Sequence, residues 1–482
     1  MCTDTLRALL TIAAAKDMDL VHWDVSTAFL NARLEEDIFC KIPDGFPNAG
    51  SNTHCWKLNR ALYGLKQAPA AWHREFKQTL KSIGFVQSAI DPCVYRLTQG
   101  KNSILMGVFV DDICVATTST KFAQGIYDQL ASKYKMSNLG ELTYFTGVSI
   151  SRNRQKRTIF LHQPKYTEEI LERFNMHMSC AKHTPLPSGL QLQKVKEDDY
   201  TWPVDHEDYS GPYRQKVGSL LYLAIVSRPD IAQAVSYVAQ FNSAPTKAAD
   251  KAVNHIFKYL NGTRDFGITL GPDIGPLHTF ADAAHQTEGN MQAVTGYMIR
   301  MGNSPIMWQS KKQVLTTLST MESELDALAS ATIPSIWLRD LLNELIGFDN
   351  STPITILQDN AGTIAHVKNE QTSNRTAHLR RRYNFLHQYC ELGWIELKHL
   401  PGTEMVADHF TKALPRAIFE YHCKHFMSVS DPDQNPFELP KFVPELQKQL
   451  GAKTKSTNTA PPKQIEHLAV AICNLFSVLL CT

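Results

Sequence analysis

Three aspartates in the first quarter of the sequence lie beside apolar runs, where carboxylates can do chemistry. Asp24 ends the stretch DLVHWD, and Asp111 and Asp112 lie between ILMGVFV and ICVA. Two apolar runs joined by an acidic pair predict a β-hairpin with the carboxylates at its tip. Phosphoryl transfer to a polynucleotide uses two divalent ions about 3.5–4 Å apart. Magnesium binds through a few carboxylates and keeps some water, so three aspartates on adjacent strands would suit this reaction.

The acidic pair also has an ordinary structural explanation. Aspartate is common in turns, because its side chain bonds to the nearby backbone and tolerates left-handed conformations. Taken alone, Asp111 and Asp112 are better interpreted as turn residues than as metal ligands. The motifs around them, described below, favour the metal-binding interpretation.

Four further carboxylates form a second pattern in the second half of the chain. They fall where predicted strands end or predicted helices begin, at Asp282, Glu324, Asp359 and Asp408. Each one alone is more often a solvated surface charge. As an ordered set in a strand–helix pattern, they favour a second site for two metal ions.

The helical position within this set is ambiguous. An apolar stripe runs along the predicted helix and is flanked by Glu322 on one side and by Glu324 on the other. Since both flanks of such a stripe lie at the edge of the buried face, periodicity does not choose between them.

The elements that must position these residues change along the chain. Residues 1–175 alternate short apolar runs with helical patterns, and residues 176–275 combine a polar linker with two or three helices. Residues 276–415 show three strands, a long helix, a strand, helices, a strand and a last helix around TEMVADHFTKAL, which predicts a mixed sheet flanked by helices. From 416 to 482 the composition drifts toward Pro, Lys, Gln and Thr, which predicts a poorly ordered tail.

Composition limits the function classes further. The 482 residues are 43% hydrophobic and 20% charged, which is typical of globular domains. The net charge of +2 neither requires nor excludes nucleic acid as a partner.

The 10 cysteines never form a C-x-x-C pair, and His422, Cys423 and His425 lack a second ligand pair, so we expect no zinc site. The uncharged stretch 467–482 is too short to span a bilayer, so we expect no membrane anchor.

The ordered motifs resemble the reverse transcriptase and ribonuclease H parts of copia-type LTR retrotransposon Pol polyproteins. The first half carries WDVSTAFLNARLEEDIFCKIPDGF, LNRALYGLKQAPAAWHREF, FVDD, LHQPKY and VGSLLYLAIVSRPDIAQAV. The second half carries WQSKKQ, LSTMESE and ADHFTKALP. The resemblance extends from residue 5 to about 416. It implies an α+β and α/β multidomain fold, in which a right-hand-type polymerase palm (1–175) and a helical thumb or connection (176–275) precede a ribonuclease H-like mixed sheet flanked by helices (276–415).

The resemblance also implies roles for individual residues. Asp24, Asp111 and Asp112 match the polymerase carboxylates, and Asp282, Glu324, Asp359 and Asp408 match the nuclease carboxylates, each set holding two Mg²⁺ or Mn²⁺ ions. It thus selects Glu324 over Glu322. Phe29 matches the aromatic residue that excludes a 2′-hydroxyl, although a core position is the alternative. Lys66 and Gln67 match a segment beside the incoming nucleotide and template.

The implied partners are an RNA template, a DNA primer, the RNA–DNA hybrid and deoxynucleoside triphosphates, with no membrane and an intracellular location. Basic side chains that could contact the nucleic-acid backbone are Lys258, Arg264, Arg375, Arg380, Arg381 and Arg382. A solvated helix face is the competing interpretation for all of them.

The chain departs from the family pattern in three places. Ala284 and His285 stand where the family has Asp and Trp, and the run 377–384 differs at Ala377, Arg380 and Asn384. The family's fingers segment is missing before residue 1, so we expect an N-terminally truncated chain whose polymerase is impaired. The rival hypothesis is a catalytically silent retrotransposon remnant that at most binds nucleic acid.

Overall fold

The computed structural model describes residues 1–192, 211–284, 292–314, 317, 319–349, 351–369 and 380–429. The chain forms two compact units, Met1–Thr146 and a second one that begins at Gly147. Residues 193–210, part of the linker predicted within 176–275, and the tail beyond 429 lie outside the described residues, as do His285, Ala377 and Arg375.

The first unit is built on a six-stranded antiparallel sheet with the order β4-β5-β6-β7-β1-β8, beside a separate β2–β3 pair. Its strands are β1 (Asp19–Val25), β2 (Arg33–Cys40), β3 (Trp56–Arg60), β4 (Val86–Gln87), β5 (Val94–Gln99), β6 (Asn102–Phe109), β7 (Asp112–Thr117), β8 (Met136–Glu141) and β9 (Tyr144–Phe145). Its helices are α1 (Thr3–Ala15), α2 (Ala28–Asn31), α3 (Ala68–Ile83) and α4 (Thr120–Ala131).

Continuous burial along the central strands explains why the acidic pair lies at a hairpin tip. Ile104–Val108 of β6 and Ile113–Thr117 of β7 are buried residue after residue. Strands covered on both faces are apolar throughout rather than alternating. Polar residues are then accommodated only at the ends of such strands, and the predicted β6–β7 hairpin is confirmed.

The second unit contains a sheet with the order β18-β12-β11-β10 and a group of helices. These strands are β10 (Val148–Asn153), β11 (Thr158–His162), β12 (Phe266–Leu270) and β18 (Ser428–Val429). The helices are α5 (Pro164–Arg173), α6 (Tyr213–Val226), α7 (Ala232–Ala239) and α8 (Lys247–Gly262). The sequence predicts two or three helices between 211 and 262, and α6, α7 and α8 are present there.

A mixed sheet with the order β15-β14-β13-β16-β17 completes the second unit, and in it β16 runs parallel to β13 and β17. Its strands are β13 (Leu277–Ala284), β14 (Val294–Met301), β15 (Ser304–Lys312), β16 (Ile354–Gln358) and β17 (Ile395–His399). Its helices are α9 (Thr320–Ile346), α10 (Ala361–Lys368), α11 (Arg380–Glu391) and α12 (Arg416–Cys423). The predicted mixed sheet with flanking helices is confirmed.

The boundaries differ from expectation in places. The second unit takes in residues 147–175, which the sequence assigns to the palm, but a compact unit is not a functional domain and the four-part division stays a prediction. Residues 416–429, predicted as tail, form α12 and β18.

The helix predicted around TEMVADHFTKAL is wrong. The chain there forms two short 3-10 helices, Gly402–Glu404 and Val406–Phe410. Tertiary contacts hold the chain in this form, because His409 bonds to the Asp230 carbonyl and Thr411 bonds to Asp282. We call Val406–Phe410 the Asp408 segment. In the described part of the chain, no helix is both long and apolar enough to cross a membrane.

Candidate active sites

The strands of the first unit bring the three predicted polymerase aspartates to one end of the sheet. Asp24 and Asp112 are register partners across antiparallel β1 and β7. Asp111 occupies the β6–β7 turn with Val110, whose φ of 55° is left-handed. The Val25 N–H donates a 2.9 Å hydrogen bond to the Asp111 carbonyl, which fixes this turn against β1.

Two side chains that the sequence did not single out hold these carboxylates. The Tyr63 hydroxyl donates a 2.6 Å hydrogen bond to Asp111 Oδ2. His22 Nε2 lies 2.9 Å from Asp112 Oδ1. The signal for Tyr63 was its place in the LYGLKQAP motif, directly before Gly64, whose φ of 96° favours glycine.

The electrostatics of this site follow from burial and crowding. Burial raises the pKa of Asp111, the hydrogen bond from Tyr63 opposes this, and the Asp24 and Asp112 charges raise it further. Burial together with the hydrogen bond to Asp111 raises the pKa of Tyr63 to about 12, so the phenol stays a donor at neutral pH. Asp111 Oδ1 is buried and has no hydrogen-bond partner. An unpartnered carboxylate oxygen at this position is suited to a cation.

The predicted nucleotide-binding residues differ in burial and in their contacts. Phe29 is 8% exposed, belongs to the hydrophobic core, and has its ring centroid 4.6 Å from that of Tyr63. Phe29 is therefore both a core residue and a neighbour of the Asp111 contact. Lys66 and Gln67 are exposed, and Gln67 donates a 3.0 Å hydrogen bond to Glu36.

Three of the four predicted nuclease carboxylates meet in the second unit. Asp282 on β13, Glu324 on α9 and Asp359 at the end of β16 each offer an oxygen, and these oxygens lie within 4.8 Å of one another. Among the residues that the structure describes, no other three acidic, His or Cys side chains have ligand atoms this close together. The oxygens of Asp24, Asp111 and Asp112 are therefore farther apart than those of this cluster. Parallel β13 and β16 explain the convergence, because their carboxyl ends share one edge of the sheet.

Buried hydrogen bonds orient this cluster. Glu324 Oε2 accepts from the Ala283 N–H at 3.0 Å and from Gln358 Nε2 at 2.8 Å. Asp282 Oδ2 accepts from the Thr411 hydroxyl at 2.7 Å. The sequence analysis missed Gln358 and Thr411, although each lies within three residues of a predicted carboxylate.

Burial and mutual repulsion disfavour the charged forms of the cluster. Burial, followed by the Asp408 carboxylate, raises the pKa of Asp282 to about 7. Burial, followed by the Asp282 charge, raises the pKa of Glu324 to about 9. Burial also raises the pKa of Asp359, with Asp408 contributing. Close carboxylates of this kind are hard oxygen ligands that a divalent cation would neutralise, so the residues fit such an ion.

The fourth carboxylate lies beside the cluster in the Asp408 segment. Lys412 Nζ is 2.8 Å from Asp408 Oδ1. Burial alone would lower the pKa of Lys412, but its bond to Asp408 and the charges of Asp282 and Asp359 raise it. Lys412 therefore supplies positive charge next to the acidic cluster.

The structure separates the two glutamates that periodicity left open. Glu324 lies in the cluster, whereas Glu322 lies in the first turn of α9, where its backbone N–H bonds to the Ser319 side chain at 3.2 Å. The family resemblance also selects Glu324, whose role as a metal ligand stays a prediction.

Comparisons with known proteins agree with these features. A family model described as Reverse transcriptase (RNA-dependent DNA polymerase) matches residues 1–188. The chain is 34% identical over 431 residues to the retrovirus-related Pol polyprotein from transposon TNT 1-94 of Nicotiana tabacum, covering 88% of this chain and 32% of that polyprotein. It is 31% identical over 292 residues to the putative transposon Ty5-1 protein of Saccharomyces cerevisiae, covering 60% of this chain and 92% of that protein. The chain belongs to the copia-type retrotransposon Pol family.

The extent of the match differs between relatives. The chain spans about a third of the length of the plant Pol polyproteins that it matches. A solved structure of the foamy viral protease–reverse transcriptase in complex with RNA/DNA hybrid aligns with 80% of this chain and 44% of that chain, at 14% identity and a TM-score of 0.46. The sheets and helices described above confirm the predicted α+β and α/β fold class of this Pol chain.

The basic residues of this Pol chain that were predicted to contact the nucleic-acid backbone differ in exposure and in their partners within the chain. Arg264 Nη2 donates to the His177 carbonyl at 3.1 Å, and Arg382 Nε lies 2.6 Å from Asp326, so both guanidinium groups have partners within the chain. Lys258 is half-buried and Arg381 is exposed. The side chain of Arg380 and all of Arg375 lie outside the described residues.

Proposed function

We propose that this chain is an RNA-directed DNA polymerase and a ribonuclease of RNA–DNA hybrids, and that both sites use two-metal phosphoryl transfer. The observation that carries the proposal is the convergence of Asp282, Glu324 and Asp359 within 4.8 Å in a chain of the copia-type Pol family. Membership supports the polymerase through the matched reverse transcriptase region.

We propose that Asp282, Glu324, Asp359 and Asp408 hold two Mg²⁺ or Mn²⁺ ions at the nuclease site, and that Asp24, Asp111 and Asp112 hold two at the polymerase site. Such ions, when bound, activate the attacking oxygen and stabilise the leaving oxygen. The chain's own residues orient the ligands. Gln358 and the Ala283 N–H hold the Glu324 carboxylate, and Thr411 holds that of Asp282.

At the polymerase site, Tyr63 and Phe29 would form one wall of the nucleotide position. The hydrogen bond from Tyr63 to Asp111 fixes the phenol ring, and that ring packs on Phe29. The two rings would leave no room for a 2′-hydroxyl on the incoming nucleotide. Lys66 and Gln67 would lie nearer the template. The partners would be an RNA template, a DNA primer, the hybrid and deoxynucleoside triphosphates, and the location would be intracellular.

The two activities can be tested on one purified chain. We expect cleavage of the RNA strand of an RNA–DNA hybrid and weaker extension of a DNA primer on RNA, both in Mg²⁺ or Mn²⁺. Neither activity should occur in chelator or in Ca²⁺, which prefers a larger and looser coordination shell. Asp282→Asn should abolish cleavage and spare extension, and Asp111→Asn should do the reverse. Each variant is therefore the matched control for the other.

Two outcomes would overturn the proposal. Hybrid cleavage that persists in chelator would exclude metal-dependent transfer at the acidic cluster. A folded chain that neither cuts hybrid nor extends primer in Mg²⁺ or Mn²⁺ would favour the catalytically silent remnant, with nucleic-acid binding as its remaining measurable property.

A further inference from the structure

The motif VSRPD (226–230) contains a buried ion pair whose residues are not among the proposed metal ligands of either active site. Arg228 and Asp230 are each 1% exposed. Arg228 Nε and Nη2 donate to the two Asp230 carboxylate oxygens at 2.9 and 2.7 Å. This two-point contact is the strong and directional form of the pair.

Residues from other segments form further hydrogen bonds with this pair. Arg228 also donates to the Thr263 carbonyl and hydroxyl, both at 2.7 Å, and the Tyr259 hydroxyl donates to Asp230 Oδ2 at 2.7 Å. The Ser227 hydroxyl donates to Gln163 at 2.8 Å, which links the LHQPKY motif to the same turn. We call these residues the VSRPD network, namely Gln163, Ser227, Arg228, Asp230, Tyr259 and Thr263.

One contact joins the VSRPD network to the nuclease site. His409 Nε2 lies 3.1 Å from the Asp230 carbonyl oxygen. Since a carbonyl only accepts, Nε2 carries the hydrogen. His409 is 2% exposed, and its ring packs against Phe419 and Phe426 at centroid distances of 4.8 and 4.9 Å. His409 follows Asp408 directly, so an anchor on its ring also limits where the Asp408 carboxylate can lie.

The opposite side of the Asp408 segment is held by the mixed sheet. A Cβ added at Gly296, the register partner of Asp282, would lie 2.9 Å from the Ala407 carbonyl oxygen, so β14 and the segment are in close contact. The Thr411 hydroxyl bonds to Asp282. The segment is therefore fixed between the sheet and the VSRPD network.

We propose that the VSRPD network, acting through His409, is a positioning device for Asp408. Asp230 and His409 are positioning residues, and they do not touch substrate or metal. The inference rests on the proposed ribonuclease function. A purely stabilising role is a poor explanation of the buried pair, because apolar residues of similar volume usually stabilise a core at least as well. Polar bonds fix geometry more narrowly than apolar contacts do, and a metal ligand needs narrow geometry.

Isosteric variants separate positioning from stability. Tyr259→Phe removes the hydroxyl bond to Asp230, and His409→Phe removes the bond to its carbonyl while keeping an aromatic ring. Tyr213→Phe is the matched control, because Tyr213 is equally buried and donates a 2.7 Å bond to the Val238 carbonyl in the same unit. For all three we would measure the melting temperature and the Mg²⁺ concentration at half-maximal hybrid cleavage.

A second readout does not depend on activity. Mn²⁺ binding would be followed by calorimetry in full-length chains that carry Asp24→Asn and Asp111→Asn, so that the signal reports the nuclease cluster. Loss of a group that orients a metal ligand typically weakens metal affinity by about 10–100-fold. We expect His409→Phe to weaken Mn²⁺ binding by about 10-fold, Tyr259→Phe to weaken it less, and Tyr213→Phe to leave it unchanged.

The outcomes distinguish this inference from the proposed function. If all three variants lose thermal stability while Mn²⁺ affinity and the Mg²⁺ midpoint stay at wild-type values, the network is only structural. If the wild-type chain cuts no hybrid, the ribonuclease proposal fails, and the calorimetry still decides whether the network positions Asp408. Should His409→Phe not fold, Tyr259→Phe decides by the same two measurements.

Discussion

The backbone N–H of Ala283 donates a 3.0 Å hydrogen bond to the carboxylate of Glu324. Ala283 follows Asp282 on β13, so this bond holds the helical glutamate beside the strand aspartate. Residues two apart on an α-helix point about 200° apart, given about 3.6 residues per turn. Glu322 therefore faces away from the position that Glu324 occupies.

The two glutamates near the start of α9, Glu322 and Glu324, give the first prediction. Glu324→Gln keeps the side-chain shape but removes a charge from the cluster, so hybrid cleavage should fall by more than about 100-fold. Glu322→Gln, the matched control, should change cleavage by less than about threefold. Initial rates in saturating Mg²⁺ measure both. The reverse pattern would place the metal on the other flank of the helix.

The raised carboxyl pKa values predict how stability depends on pH. Burial and Asp408 raise the pKa of Asp282 to about 7, and burial and Asp282 raise that of Glu324 to about 9. The folded chain then holds these protons more tightly than the unfolded chain, whose carboxyl pKa values are near about 4. The contribution of the cluster to the free energy of unfolding must therefore fall as pH rises from about 4 to about 9.

We expect Asp282→Asn to melt above the wild-type chain at about pH 8 in chelator, and the two to converge at about pH 4. Neutralising the buried charge should be worth about 1–3 kcal/mol at the higher pH. Mg²⁺ should stabilise the wild-type chain more than the variant, since the ion favours the charged forms. Thermal denaturation across this pH range tests the prediction, and a variant that melts below the wild type at about pH 8 would contradict it.

The contact between Gly296 and the Asp408 segment gives a third prediction. A Cβ at this position would lie 2.6 Å from Thr411 Cγ2 and 2.9 Å from the Ala407 carbonyl, so the segment must shift. Gly296→Ala should lower the free energy of unfolding by about 1–3 kcal/mol and reduce hybrid cleavage. Gly218→Ala is the control, because its Cβ would meet nothing within 4 Å. Because Gly218 lies within helix α6, Gly218→Ala should leave the free energy of unfolding unchanged or raise it by up to about 1 kcal/mol. If both substitutions change stability and cleavage equally, the Asp408 segment shifts at little energetic cost and the prediction is wrong.

The pairing of Phe29 with Tyr63 predicts sugar selectivity. Phe29→Val removes bulk from the ring contact at 4.6 Å and should raise ribonucleotide incorporation relative to deoxyribonucleotide incorporation. Tyr63→Phe keeps that bulk and loses only the bond to Asp111, so it should slow extension without changing the ratio. Primer extension with each nucleotide class measures both. An unchanged ratio in Phe29→Val would leave Phe29 as a core residue alone.

Much of the fold was predictable because its signals are local. The apolar runs around Asp111 and Asp112 predicted the β6–β7 hairpin, and the strand–helix pattern after residue 276 predicted the mixed sheet. The wrong prediction was the helix around Asp408. Its sequence permits a helix, but bonds to distant residues, such as that of His409 to the Asp230 carbonyl, hold the chain in short 3-10 turns.

By itself, the sequence determined the order of most strands and helices, since hydrophobic periodicity lies within short stretches of chain. Its family resemblance selected the seven carboxylates, including Glu324 over Glu322. Only the tertiary structure brought carboxylate oxygens of Asp282, Glu324 and Asp359 within 4.8 Å of one another, paired Tyr63 with Asp111, and connected His409 to Asp230. The partners in those two bonds are 48 and 179 residues apart. Contacts at such separations depend on how sheets and helices pack, and no periodicity within one segment encodes them.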